Sequence, residues 1–208
     1  MQPDAGDAQT PIPTTHDGPV VLLGTVDGAG DGLADLLGRH PRLCRVPRSR
    51  LLVDLVVAIE RNQPALAGYR LSAASWWRAA GTFFDGVQRD YAARAHKARW
   101  LTYVSSSSLR LDELVGLFPA AQFVHVITPP RGGAGRIVAS NRRTGAGLPP
   151  GNYLEVAEGE MLGDADACVL RVLRFLREDG VVVADPEVVV DLADASPATP
   201  SGPRSGSG

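Results

Sequence analysis

Hydrophobic positions along this chain fall into short blocks whose spacing switches between strand-like and helical. Val20, Val21, Leu22 and Leu23 are four apolar residues in a row, the pattern of a parallel strand covered on both faces. Gly24, Gly28, Gly30 and Gly32 follow at once, and Leu33, Leu36 and Leu37 then recur at helical spacing. Residues 19–41 therefore read as a buried strand, a glycine-rich turn and an amphipathic helix. Pro41 ends that helix, because proline disfavours helical geometry in the residue before it, and His40 becomes a helix-end residue near the negative end of the dipole. Residues 43–46 suit a short strand or an extended link. Leu51, Leu52, Leu55, Val56 and Ile59 then place an apolar face on a helix over residues 48–62, with a break expected at 64–68.

A longer helical region is expected over residues 72–97, where Trp76, Trp77, Phe83, Phe84, Val87 and Tyr91 concentrate the aromatic and apolar side chains. At helical spacing such a stripe reads as core rather than as the lining of a substrate pocket, and Gly81 marks a place for a kink. Residues 99–104 alternate as a strand. The serines at 105–108 offer an N-cap to a helix carrying Leu109, Leu111, Leu114, Val115 and Leu117. Residues 122–127, QFVHVI, form the clearest second core strand, with His125 read as a packed, hydrogen-bonded core histidine. An irregular loop over 128–135 leads into a short helix with Arg136, Arg142 and Arg143, then come a linker at 144–151, a short strand at 152–156 and a helix over 161–177. Residues 181–192 suit a strand followed by a helical turn. This order predicts a three-layer α/β/α fold around a central parallel sheet, in which ligands meet the carboxyl ends of the strands. Residues 24–31, 103–106 and 128–136 then surround one mouth.

Composition narrows the reading. A chain of 208 residues with 44% hydrophobic content suits one α/β domain, expected over 19–194, with a polar, disordered lead at 1–18 and a disordered Pro/Ser/Gly tail at 195–208. A net charge of -2 and a pI near 6.1 give no basic footprint for nucleic acid. No apolar run approaches the ~20 residues of a membrane span. The first residues have neither the basic nor the apolar part of a signal peptide, which points to a soluble, cytoplasmic protein. Cys44 and Cys168 lack metal-ligand spacing and read as buried free thiols; no metal is expected.

Lys97 is the only lysine among twenty-one basic residues. The glycine-rich loop thus has no lysine of its own, which removes a Walker A motif, and Leu33 stands where the third glycine of a Gly-x-Gly-x-x-Gly dinucleotide loop belongs. The loop carries Asp27 and Asp31 where an anion site wants cations or neutral donors.

In ordered pieces from residue 19 to residue 176, the chain resembles the sulfotransferase family, especially bacterial members that use phosphoadenosine phosphosulfate (PAPS). Residues 26–31, followed by His40-Pro41, stand where the family has Pro-Arg-Ser-Gly-Thr-Thr and a helix closing on His-Pro. Residues 100–105, then 111–114 and Phe118-Pro119, are similar to its Trp-Gly-Glu-Lys-Thr-Pro, Leu-Asp-Glu-Leu and Phe-Pro. Residues 123–131 with Ser140 resemble Phe-Val-His-Val-Val-Arg-Asp-Pro-Arg and its following helix, and residues 153–161 with Phe175-Leu176 resemble the Tyr-Leu-Glu-Val segment and its closing helix. The resemblance implies a P-loop-related fold, PAPS as co-substrate, and a donor site at Asp27, Gly28, Ala29, Gly30 and Asp31. The family's loop arginine falls on Asp27, its Glu-Lys-Thr-Pro on Thr102, Tyr103, Val104 and Ser105, and its 3′-phosphate arginine on Thr128. Arg131 or Arg136, with Ser140, are the substitutes at the 3′-phosphate end. Two carboxylates at the loop are expected to repel the donor, with Asp31 favouring the helix dipole and able to cap it. The expectation is a sulfotransferase-family protein whose PAPS site is eroded, weak or inactive as an enzyme and acting as a binding or accessory protein. Its small-molecule or protein partner is not identified by the sequence. The alternative is an active enzyme transferring a sulfonate group to a hydroxyl of a small molecule or carbohydrate, and a third class is an enzyme of different chemistry using the acidic mouth.

Overall fold

The computed structural model describes residues 18–25, 29–128 and 134–178. The expectations for the amino-terminal lead, for residues 181–192 and for the tail lie outside the described residues. Val20–Gly24 forms β1, and its continuous apolar run serves two layers at once. Val20 and Leu22 enter one core while Val21 and Leu23 enter the other, all four without exposed surface; successive strand residues point to opposite faces. After β1 come α1 (Gly30–Gly38), β2 (Leu43–Arg45), α2 (Leu51–Leu66), α3 (Ala73–Arg94), β3 (Arg99–Ser105), α4 (Leu111–Leu117), β4 (Gln122–Ile127), α5 (Ala134–Ala146), β5 (Tyr153–Ala157), α6 (Glu158–Gly163) and α7 (Ala165–Leu176). The strands form one sheet in the order β2-β3-β1-β4-β5, every neighbouring pair parallel.

Leu33, Leu36 and Leu37 of α1 share the first core with Met161 of α6 and with Val169, Val172 and Leu173 of α7. Leu52 and Val56 of α2, Phe84 of α3 and Leu111 and Leu114 of α4 share the second. This is the three-layer α/β/α arrangement with a central parallel sheet. Its apolar burial is the main favourable term holding the helices to the sheet. All strands run the same way, so their carboxyl ends meet at one edge. The chain leaves β1 toward β2 and leaves β4 toward β5, which opens the crevice where such sheets take ligands.

Several local expectations change. α2 continues through Pro64 to Leu66, so the break comes one turn later than proline suggested. α3 is not interrupted at Gly81. That glycine is instead a packing position, because a Cβ there would run into the Leu117 carbonyl of α4. α4 is capped not by a serine but at Arg110, whose backbone N–H donates to Glu113 Oε2 at 2.7 Å. Ser106 is used elsewhere: its backbone N–H and its hydroxyl both donate to the Gly24 carbonyl, at 2.8 and 3.1 Å, closing the end of β1. α5 runs on into the expected linker, to Ala146. The helix expected over 161–177 divides at Asp164, which caps α7 by accepting from the Ala167 N–H at 2.9 Å. The aromatic stripe of α3 divides too. Phe84 is core, packed against Trp100 and Phe118, whereas Phe83, Val87 and Tyr91 are exposed.

Candidate functional site

The glycine-rich turn lies at the carboxyl end of β1, as its pattern requires. Asp27 and Gly28 lie outside the described residues, and Ala29, Gly30 and Asp31 open α1. Ala29 is the N-cap and makes no side-chain cap. Its backbone N–H donates to Glu158 Oε1 at 3.0 Å. A helix N-terminus presents orphan N–H groups and the positive end of the dipole, so it attracts negative charge. Here a carboxylate of the same chain, from the first residue of α6, supplies it.

The other side of the turn is closed by an aromatic ring. Tyr103 donates its hydroxyl to the Thr25 carbonyl, and its ring lies so close to the loop that a Cβ on Gly30 would come within 2.6 Å of it. Glycine at 30 is thus required by a close approach, but the group approaching is a side chain of β3. Thr25 and Thr128, at the ends of β1 and β4, join hydroxyl to hydroxyl at 3.1 Å.

Asp31 does not cap α1, and its charge is not open to the mouth. Arg45 Nη2 meets its Oδ1 at 2.6 Å and Arg48 Nε meets the same oxygen at 3.1 Å, while Arg45 also pairs with Asp35. The carboxylate is 18% exposed and matched by two guanidinium groups, so the expected repulsion of an anion by Asp31 is largely cancelled. What these pairs do is tie residues 45–48 to α1. Burial lowers the Arg45 pKa from its ordinary value, a shift toward neutrality that leaves so strong a base cationic.

On the β4 side, Arg131 lies outside the described residues. Arg136 stands exposed in the first turn of α5, and Ser140 follows one turn later on the same face. The two helix starts that carry Ala29, Gly30 and Asp31 and Arg136 and Ser140 thus follow neighbouring strands. Arg142 is engaged, its Nη2 on Glu155 Oε2 at 3.0 Å. Glu155 also accepts from the Tyr153 hydroxyl at 3.1 Å, and that hydroxyl lies 2.8 Å from His125 Nδ1. His125 is the packed core histidine its sequence context implied. Burial lowers its pKa, against the opposing pull of Glu155, and burial together with Glu155 raises that of Tyr153.

Lys97 is structural: its Nζ donates to the carbonyls of Gly38, His40 and Leu43 at 2.6, 3.0 and 2.8 Å, closing the carboxyl end of α1. Both cysteines are free and buried, and burial pushes the Cys168 thiol up to about 11, away from nucleophilic reactivity. Among the described residues no group of three His, Cys, Asp or Glu side chains could hold a metal ion, and no helix is long and apolar enough to cross a membrane.

Next to this edge, between the segment leading into α2, the face of α3 and the carboxyl half of β3, lies a cavity of about 310 Å³. Leu52, Val53, Phe84, Val104 and Leu109 supply apolar wall, and Gln88, Arg48 and Arg50 are among its polar lining. The sequence reading missed Gln88, Arg45, Arg48 and Glu158. The arginines carried a signal in the R-V-P-R-S-R run at 45–50. Glu158 carried none, being 129 residues from its partner.

No family model matches the sequence, and none of the curated proteins matches it significantly. The fold does match. The chain is similar to the sulfotransferase domain from the curacin biosynthetic pathway, with a TM-score of 0.51 and 11% identity over 82% of this chain and 76% of that one. It is also similar to the sulfotransferase domain from the Synechococcus PCC 7002 olefin synthase, with a TM-score of 0.50 and 17% identity over 88% of this chain and 89% of that one. The fold is therefore sulfotransferase-like.

Proposed function

We propose that this chain uses a sulfotransferase-like fold as a binding or accessory protein, with sulfonate transfer from PAPS lost or greatly weakened. The carrying observation is the hydrogen bond from the Ala29 N–H to Glu158 Oε1. A phosphate-binding turn works because its amides and helix dipole have no negative partner until the ligand brings one. In this chain a carboxylate takes an amide at the start of α1, and an incoming phosphosulfate would meet like charge there.

Three further features support the reading. The Tyr103 ring lies against Gly24 and Gly30, and the one lysine is committed to three carbonyls at the other end of α1. Arg45 and Arg48, the cations beside the turn, are committed to Asp31. On this reading the described residues do not fit PAPS, and no catalytic step is assigned through it.

Calorimetric titration with the desulfonated donor, 3′-phosphoadenosine 5′-phosphate, tests this directly. The wild type is expected to give no saturable binding up to millimolar ligand. Micromolar binding would overturn the reading and favour the alternative, an active enzyme with Arg131, Arg136 and Ser140 at the 3′-phosphate end.

A further inference from the structure

The cavity beside β3 has a chemical character of its own. Its apolar walls come from three elements: Leu52 and Val53 at the start of α2, Phe84 on α3, and Val104 and Leu109 around the end of β3. Gln88 also lines it, and Gln88 is only 8% exposed. Its carboxamide has two N–H donors and a carbonyl acceptor, and none of them is hydrogen-bonded to any described residue. Its polar atoms are not among the buried unpartnered ones of the described residues, so they are open to the cavity and free to hydrogen-bond whatever fills it.

The rim is positive. Among the described residues no acidic side chain lines the cavity, whereas Arg48 and Arg50 do. Arg48 is held by Asp31, but Arg50 is 87% exposed and its ion pair with Asp54 is loose, at 3.8 Å. The amino end of α2 lies at the same rim and adds its dipole in the same sense. Apolar walls with a few convergent polar groups are the usual make-up of a small-molecule site, and about 310 Å³ is at the small end of the range for such sites.

From these features together we infer that the cavity binds a small amphiphilic monocarboxylate, with its apolar body against Leu52, Val53, Phe84 and Leu109, its anionic head at Arg50, and an oxygen acceptor within its body facing Gln88. This names a ligand class for the binding protein proposed above and rests on that reading.

The test is a ligand series titrated calorimetrically into the full chain. The parent is 4-oxo-4-phenylbutanoate; 4-phenylbutanoate removes the internal oxygen, and 4-oxo-4-phenylbutanamide removes the charge. The wild type is expected to bind the parent best, about five-fold better than the deoxygenated acid, from one neutral hydrogen bond, and about ten-fold better than the amide, from a charge-assisted one. Gln88→Leu should abolish the first preference and keep the second; Arg50→Gln should do the converse. The ligand series needs no substitution, so it stands even if Gln88→Leu fails to fold. No saturable binding by the wild type, equal binding of all three ligands, or preferences that survive both substitutions would each overturn the inference. Tight binding of 3′-phosphoadenosine 5′-phosphate with this pattern intact would overturn only the earlier reading.

Discussion

At the amino end of the sheet, Arg99 is 2% exposed, and its guanidinium reaches the Gly18 carbonyl, the Leu176 carbonyl, Glu178 Oε1 and Gln122 Oε1 at 2.8–3.2 Å. At the carboxyl end, Asp31 with Arg45 and Arg48, and Glu158 with Ala29, are also satisfied by the chain itself, but they remain partly open to water. Both ends hold charge, and the difference lies in what could replace each partner. Nothing outside the protein can reach Arg99, so its network joins β1, β3, β4 and the end of α7 as architecture. At the mouth, by contrast, Glu158 stands on a helix-start amide that water or an anion could otherwise take, so the same kind of contact bears on binding.

The strongest way to break this comparison is Arg99→Met. Among the described residues, a buried Glu178 would keep only Arg42, at 2.7 Å, and the carbonyls of Gly18 and Leu176 would lose their donor. Breaking a buried ion pair from one side costs about 3–5 kcal/mol, to be read as a lower urea midpoint with an unchanged m-value. Adding Glu178→Leu should return part of that loss, since removing both charges relieves the desolvation of the second. A loss no larger than that of a surface pair would mean the amino end is no more architectural than the mouth.

Asp31→Asn is the corresponding change at the mouth, and a smaller effect is expected. The pairs it removes are partly screened by water, so the cost should be about 1 kcal/mol. That difference between wild type and variant should shrink in 0.5 M NaCl. A salt-independent loss would show that this cluster behaves like the buried network at the other end.

The contrast also explains what could be read in advance. The all-apolar run at 20–23, the leucine spacing of α1 and the QFVHVI strand report burial, which depends on local period, and all three stand as expected. Even the four similar segments pointed to the right fold, because their order follows the order of the strands. The charges were harder. Asp31 was visible, but whether it repels an anion depends on Arg45 and Arg48 turning back onto α1. Glu158 meets Ala29 only because β5 lies two strands from β1 and delivers α6 to the same edge. Partners like these are set by topology. The exposed half of the α3 stripe fails for a related reason: helical spacing marks a face, but whether Phe83 and Tyr91 find a neighbour depends on where α2 and α4 stop.

His125 sharpens the comparison at the small end of the scale, since it is as buried as Arg99 yet belongs to the carboxyl half of β4. The Tyr153 hydroxyl gives its proton to Glu155, so His125 Nδ1 carries a hydrogen and donates to the tyrosine oxygen, leaving the neutral ring satisfied on that side. The groups facing it pull in opposite directions: Glu155 favours the charged ring and Arg142 opposes it, and burial decides in favour of the neutral form. The sign follows. With a folded pKa below the ordinary 6.5, the unfolded chain takes up the proton first, so stability is fully present above pH 6.5 and is lost as pH falls toward the folded value. Urea midpoints measured from pH 8 to pH 5 should therefore decline below 6.5 in the wild type, and His125→Gln should decline less over the same interval. Parallel curves would mean that the imidazole titrates alike in the folded and unfolded chain, and a wild-type midpoint that falls less than the variant's would mean that Glu155 holds the ring charged in the manner of the mouth's ion pairs.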